Sequence, residues 1–307
     1  MKRFLIGQYG GYDGSKTERD FRMHFYGMEA CLFEKEEDVA LLAELSRQKG
    51  FRVGVHYPMR AGRSQMRDAL FLAQDEKVRT EALEGIRQEL EFLRTLGPEY
   101  VLFHYPKPVI LDDRLDWSTW RFADEREYVL ESQYPIREFA EKSEELFRWL
   151  SGMAEEYDFT PVLEFDGVTR YIYDTDMLDE LLGRYPAVRL CLDTARINLQ
   201  DRMDPRFDGR RFIRRFAGYV KLLHLSNLRF DGQIRERHEP VFPEQRPENG
   251  WAPIADYLAI VREENPDILV HFEHRSDRIN EEELERCYSW VDGLLNIQHA
   301  GGSRTVR

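Results

Sequence analysis

The chain has 307 residues, 42% hydrophobic and 33% charged, enough apolar material for one sizeable core beneath a heavily charged surface. A formal net charge of −13 excludes a protein that works mainly by undirected attraction to phosphate backbones, because that affinity comes from Lys and Arg displacing counterions. No apolar run approaches the roughly 20 residues that cross a bilayer, and Phe4 to Gly7 is too short for a signal-peptide core, so a cytoplasmic protein without a membrane partner is expected.

Short β-branched or aromatic runs alternate with longer amphipathic segments, the pattern of a parallel sheet with crossover helices. In chain order, strands are expected over 3–8, 28–33, 52–56, 100–105, 161–165, 188–193, 219–225 and 268–273. Helices are expected over 36–48, 76–96, 136–156, 175–184, 209–216, 252–264 and 280–295. Eight strands interleaved with helices predict an α/β fold closed into a (β/α)8 TIM barrel, a single domain over 1–299 with a frayed tail at 300–307. An open doubly wound sheet is the alternative. Gly10-Gly11-Tyr12-Asp13-Gly14 lacks its dinucleotide glycine spacing and reads as a glycine-rich turn.

Two connections are unusually long, 106–135 and 226–250, and each follows a strand, which assigns both to the C-terminal mouth of a barrel. Arg210, Arg211, Arg214 and Arg215 read as a solvated helix face. Cys31, Cys191 and Cys287 are odd in number and without paired spacing, and are expected to be reduced core thiols.

Six strands close on a side chain that can bind metal, where a purely structural strand would keep Val, Ile or Leu. These are His56, His104, Glu164, Asp193, His224 and Glu273. A barrel brings all its strand C-termini to one ring, so residues from 56 to 273 would converge there. Carboxylates crowded together repel and would be forced to take up protons unless a cation compensates, which makes a divalent metal the economical explanation. Mn, Zn, Co or Mg are the candidates, the mixed imidazole and carboxylate set favouring the first three.

On these strand-end motifs the chain resembles the xylose isomerase-like barrel superfamily, which includes ketose 3-epimerases, inosose dehydratases and endonuclease-IV type apurinic-site endonucleases. The resemblance spans essentially the whole chain and implies that Glu164, Asp193, His224 and Glu273 hold the metal, with Glu164 and Glu273 as the catalytic pair. It also implies that His56 and His104 complete a site for a second ion, as in the endonucleases. Their loop Asp-x-His motif is matched by Glu236-Arg237-His238, with Glu for Asp. The family's Asp-x-x-His after the sixth strand reads Asp193-Thr194-Ala195-Arg196 in this chain, and a permanently protonated guanidinium cannot ligate a metal. Arg196 is therefore expected to replace a third cation, pairing with Glu236 or with an anionic group on the substrate. Asn227 stands where an Asp often does.

Two chemistries fit these residues. One is isomerisation or epimerisation of a small sugar, polyol or keto acid by proton abstraction next to a carbonyl, with Tyr9, Tyr57, Tyr105, Trp117 and Trp120 offering aromatic faces and Arg196, Glu236 and His238 binding substrate. The other is two-metal phosphodiester hydrolysis, for which Arg60, Arg63 and Lys107 are the candidate grip on nucleic acid. The acidic surface favours a sugar-like small molecule over nucleic acid. A barrel that binds ligand without turnover is the third reading, and pairing of two copies is an open expectation.

Overall fold

In the computed structural model, which describes residues 1–64 and 66–296, eight parallel strands close into a barrel in sequence order. They are β1 (Phe4–Tyr9), β2 (Gly27–Cys31), β3 (Arg52–His56), β4 (Tyr100–Tyr105), β5 (Thr160–Phe165), β6 (Arg189–Asp193), β7 (Val220–Leu225) and β8 (Leu269–Phe272). The expected tail at 300–307 lies outside the described residues.

Alternation along each strand divides the core in two. In β4, Val101, Phe103 and Tyr105 point outward and join the large apolar layer between barrel and helices. Tyr100 and Leu102 point inward and meet Leu5, Val162, Cys191, Leu222 and Leu269 in a small plug inside the barrel. Above that plug the inward positions turn polar, and Glu29, His56, His104, Glu164, His224 and His271 are all buried. Cys31, Cys191 and Cys287 are buried free thiols, as expected.

Among the described residues three α-helices form where none was expected, the shortest being the single turn Arg170–Tyr173. Thr194–Met203 starts directly at the end of β6, because the Asp193 carboxylate accepts the backbone N–H groups of Ala195 and Arg196 at 2.8 and 3.0 Å. Gly14–Asp20 follows directly on the glycine-rich turn, capped by Asp13 through the Lys16 N–H at 2.9 Å. The long connections are ordered as well. The first pairs Val109–Leu111 with Tyr128–Leu130, and the second folds into an antiparallel hairpin of Asn227–Phe230 and Ile234–Glu239.

A glycine makes room inside the barrel. A Cβ on Gly54 would lie 2.0 Å from Cζ of Tyr100, and that ring reaches Glu29, to which its hydroxyl donates at 2.6 Å. Lys107 ties down the loops over the mouth. Its fully buried ammonium lies 2.7 Å from both Asp68 and Asp166 and 3.6 Å from Glu127, joining the segments after β3, β4 and β5.

Gly54→Ala is expected to cost about 1–3 kcal/mol by overpacking against Tyr100, and urea unfolding measures it; an unchanged midpoint would mean the ring yields freely. Lys107→Met leaves buried carboxylates without their cation and is expected to cost about 3–5 kcal/mol in the same assay.

Candidate metal centre

Five of the six strand-end residues meet inside the mouth with Glu164 as their hub, while the carboxylate of Asp193 is taken up by its own helix N-terminus and by Arg196. Glu164 Oε2 lies 3.0 Å from His104 Nε2 and 3.5 Å from His56 Nε2, while its Oε1 lies 2.9 Å from His224 Nδ1. The same His224 nitrogen is 3.6 Å from Glu273 Oε2. Register explains the convergence: His104 is level with Glu164 across β4 and β5, and Asp193 with His224 across β6 and β7. Glu273 follows the last residue of β8, which leaves its side chain a third exposed while Glu164 and His224 are sealed.

Several of these atoms lie close without bonding one another. Glu164 Oε1, His104 Nε2 and His224 Nδ1 are each buried with no hydrogen-bond partner. Two groups of potential ligands share Glu164, one with His56 and His104, the other with His224 and Cys191. Buried polar atoms are ordinarily satisfied, so lone pairs gathered around common space fit a cation.

The charges point the same way. Burial pushes the Glu164 carboxyl up, but His224, His104 and His56 outweigh it and hold the pKa well below the usual range. Asp193 goes the other way, raised well above its usual value by burial and then by the charges of Glu273 and Glu164. Three carboxylates around one space cannot all stay ionised unaided. Asp193 is also the most committed of them, since it caps a helix and its Oδ2 takes Arg196 Nε at 3.1 Å.

Glu29, which the strand-end pattern did not single out, stands behind the cluster. It lies 3.2 Å from His224 Nε2 and 3.4 Å from His271 Nδ1, besides accepting from Tyr100. Burial raises its pKa, but His224, His271 and His56 prevail and keep it ionised. An imidazole that gives one N–H to a carboxylate presents its other nitrogen as a ligand, so Glu29 orients His224 toward Glu164 and Glu273. The available signal was a lone Glu at an inward position of Gly-Met-Glu-Ala-Cys.

Several expected contacts are corrected. Arg196 does not pair with Glu236; its guanidinium engages Asp166 and Asp193, and Glu236 pairs with Arg229 at 3.4 Å. Tyr57 and Tyr105 follow inward histidines and therefore point outward, Tyr57 against Phe103 and Tyr105 with its hydroxyl on Ser143. Trp117 donates to the Asp112 carbonyl and packs on Trp120, and it is Trp120 that lines a cavity. Arg60 and Arg63 are seated on Glu89 and Glu36, and Lys107 is buried among carboxylates, so each of the three already has a carboxylate partner within the protein.

His238 does reach the mouth, its Nδ1 3.2 Å from the Glu273 carbonyl. A cavity of about 490 Å³ opens over the centre, lined by Tyr9, Glu29, His56, His238, His271 and Glu273 among others. Glu273 thus faces both the cavity and the cluster, and this arrangement could bind a cation and a small polyhydroxylated molecule together.

Comparison with solved structures returns the same architecture. A D-tagatose 3-epimerase-like protein superposes with a TM-score of 0.62 at 16% identity, covering 94% of this chain and 98% of its own. The IOLI protein with a binding zinc atom has a TM-score of 0.59 at 14% identity, with 95% and 97% covered. D-psicose 3-epimerase with D-tagatose from Clostridium cellulolyticum H10 has a TM-score of 0.58 at 14% identity, with 96% and 100% covered. Identities this low speak for a shared fold alone. No curated protein matches the chain. The sequence model of one family matches residues 16–292, and by that match, together with the closed eight-stranded barrel, this chain belongs to the xylose isomerase-like TIM barrel family.

Proposed function

We propose that this barrel is a divalent-metal-dependent isomerase or epimerase that moves a proton at the carbon next to a carbonyl of a small sugar, polyol or keto acid. The observation that carries it is the placement of Glu164 and Glu273 on one nitrogen of His224, at 2.9 and 3.6 Å, with one carboxylate sealed and the other open to the cavity. The epimerase names of the structural relatives support it.

Glu164, Asp193, His224 and Glu273 would hold the cation, and the unsatisfied atoms of Glu164 and His224 fit that role. When bound, a divalent cation supplies a Lewis acid for the carbonyl oxygen and the neighbouring hydroxyl. With one glutamate ionised and the other protonated at the start, the ionised one takes the proton from carbon, the electron pair moves into the adjacent carbonyl to give an enediolate, and the protonated one gives its own proton to the opposite face. The two carboxyl groups end with their protons exchanged, and the partly exposed Glu273 is the one that can re-equilibrate with water.

A two-ion hydrolase is the second reading, favoured by one specific feature: His56 and His104 sit on Glu164 Oε2 while His224 sits on Oε1, a bridging arrangement. The seated arginines and the net charge of −13 count against a nucleic-acid substrate.

Incubation with ketoses in deuterated water tests the proposal. Wild-type enzyme loaded with Zn, Mn or Co is expected to place one deuterium at the inverted carbon. Glu273→Gln is expected to lower turnover by about 10²–10⁴-fold with an unchanged thermal melt, whereas wild-type rates would remove Glu273 from catalysis. Phosphodiester cleavage without deuterium uptake would establish the second reading instead. Metal titration is expected to show tight binding that Glu164→Gln weakens at least tenfold, and equal affinity would dismiss Glu164 as a ligand.

A further inference from the structure

Two guanidinium groups at the mouth have no counter-charge among the described residues. Arg121 is exposed on the loop between β4 and β5, and Arg237 is half-buried on the second strand of the hairpin after β7. With Arg196, Trp120 and His238 they line a cavity of about 120 Å³ whose floor includes Asp193, so it opens beside the candidate metal centre. The acids in that wall are already taken, since Asp193 and Asp166 engage Arg196 and Asp166 also holds Lys107.

Other arginines around this end are seated on carboxylates: Arg60 on Glu89, Arg114 on Asp112 and Arg275 on Asp277. In a chain with 57 acidic and 44 basic residues counter-charge is plentiful, yet Arg121 and Arg237 line one cavity together without an ion pair among the described residues. Burial lowers the Arg237 pKa from its usual value, and the charges of Arg121 and Arg196 lower it further, as expected where like charges crowd. Such crowding is relieved by a bound anion, and guanidinium forks match the geometry of phosphate and carboxylate oxygens.

We propose that Arg121 and Arg237, with Arg196 behind them, form a subsite for an anionic group of the substrate, a phosphate or a carboxylate. The substrate is then a sugar phosphate or a sugar acid, its reacting carbon over Glu164 and Glu273 and its charged end against the arginines. This assignment rests on the isomerase reading for the identity of the reacting end, while the subsite itself stands on the arginines.

Calorimetric titration of the metal-loaded full-length protein with inorganic phosphate tests the subsite. Wild type is expected to bind phosphate, with Kd at least tenfold weaker in Arg237→Gln and in Arg121→Gln; the exposed Arg121 keeps the test intact if the Arg237 variant misfolds. Phosphate binding equal in wild type and both variants, or no binding at all, would overturn the subsite. Comparing kcat/KM for a neutral ketose, its terminal phosphate and the matching keto-acid sugar separates the two anions. One charged form is expected to be preferred, and Arg237→Gln to shrink that preference about tenfold, whereas a preference for the neutral ketose would overturn the assigned substrate class. Arginine-dependent phosphate binding with no conversion of any ketose would uphold the subsite and reject isomerase chemistry. Turnover of neutral ketoses without phosphate binding would do the reverse.

Discussion

The mouth of this barrel depends on how negative charge is tolerated inside a closed ring of strands. Glu29 and Glu164 are both almost fully buried, and the His224 imidazole lies between them, one nitrogen toward each carboxylate. Isolated ionised carboxylates in such a place would be prohibitive, so each must have a positive or hydrogen-donating neighbour. The row from Glu29 through His224 to Glu164 therefore sets the orientation of the central imidazole, and with it the direction in which unsatisfied lone pairs face. Tyr100 secures the far end of the row, and it fits because residue 54 has no side chain.

Around that row the protein uses its own cations to settle the remaining acids. Lys107 neutralises Asp68 and Asp166, Asp68 in turn meets His104 at 2.9 Å, and Arg196 spans Asp166 and Asp193. Fixed ammonium and guanidinium groups thus surround the cluster on the β4 to β6 side. The consequence is a mouth with two characters. The β8 and β1 side is an open cavity bordered by Glu273, His238 and Tyr9, and the β6 side is a narrow cavity dominated by guanidinium groups.

Much of the architecture was legible in the chain because period-two and longer helical patterns alternate without interruption. All seven expected helices formed within a few residues of their expected bounds, Gly209–Phe216 among them without any shift. Thr194–Met203 escaped notice because it has almost no apolar stripe and buries Asn198 and Gln200 within a packed wall. The strand-end residues were legible one by one, since each breaks an apolar run. Glu29 was not, because it lies mid-strand, where nothing in a linear pattern marks which inward position meets a distant histidine.

By itself the sequence determined the number and order of the barrel strands and the chemical character of the ring at their ends, all of which follow from local periodicity and residue type. Only the tertiary structure decided which partner each charge takes. Tyr57 and Tyr105 turned outward because adjacent strand residues face opposite sides, a choice settled once their neighbouring histidines face in. Arg196 settled on Asp166 and Asp193 because the helix begun at Asp193 directs it there, while Glu236 stayed with Arg229 on the hairpin. Pairings between residues far apart in the chain depend on closure of the barrel, and closure is a property no local segment contains.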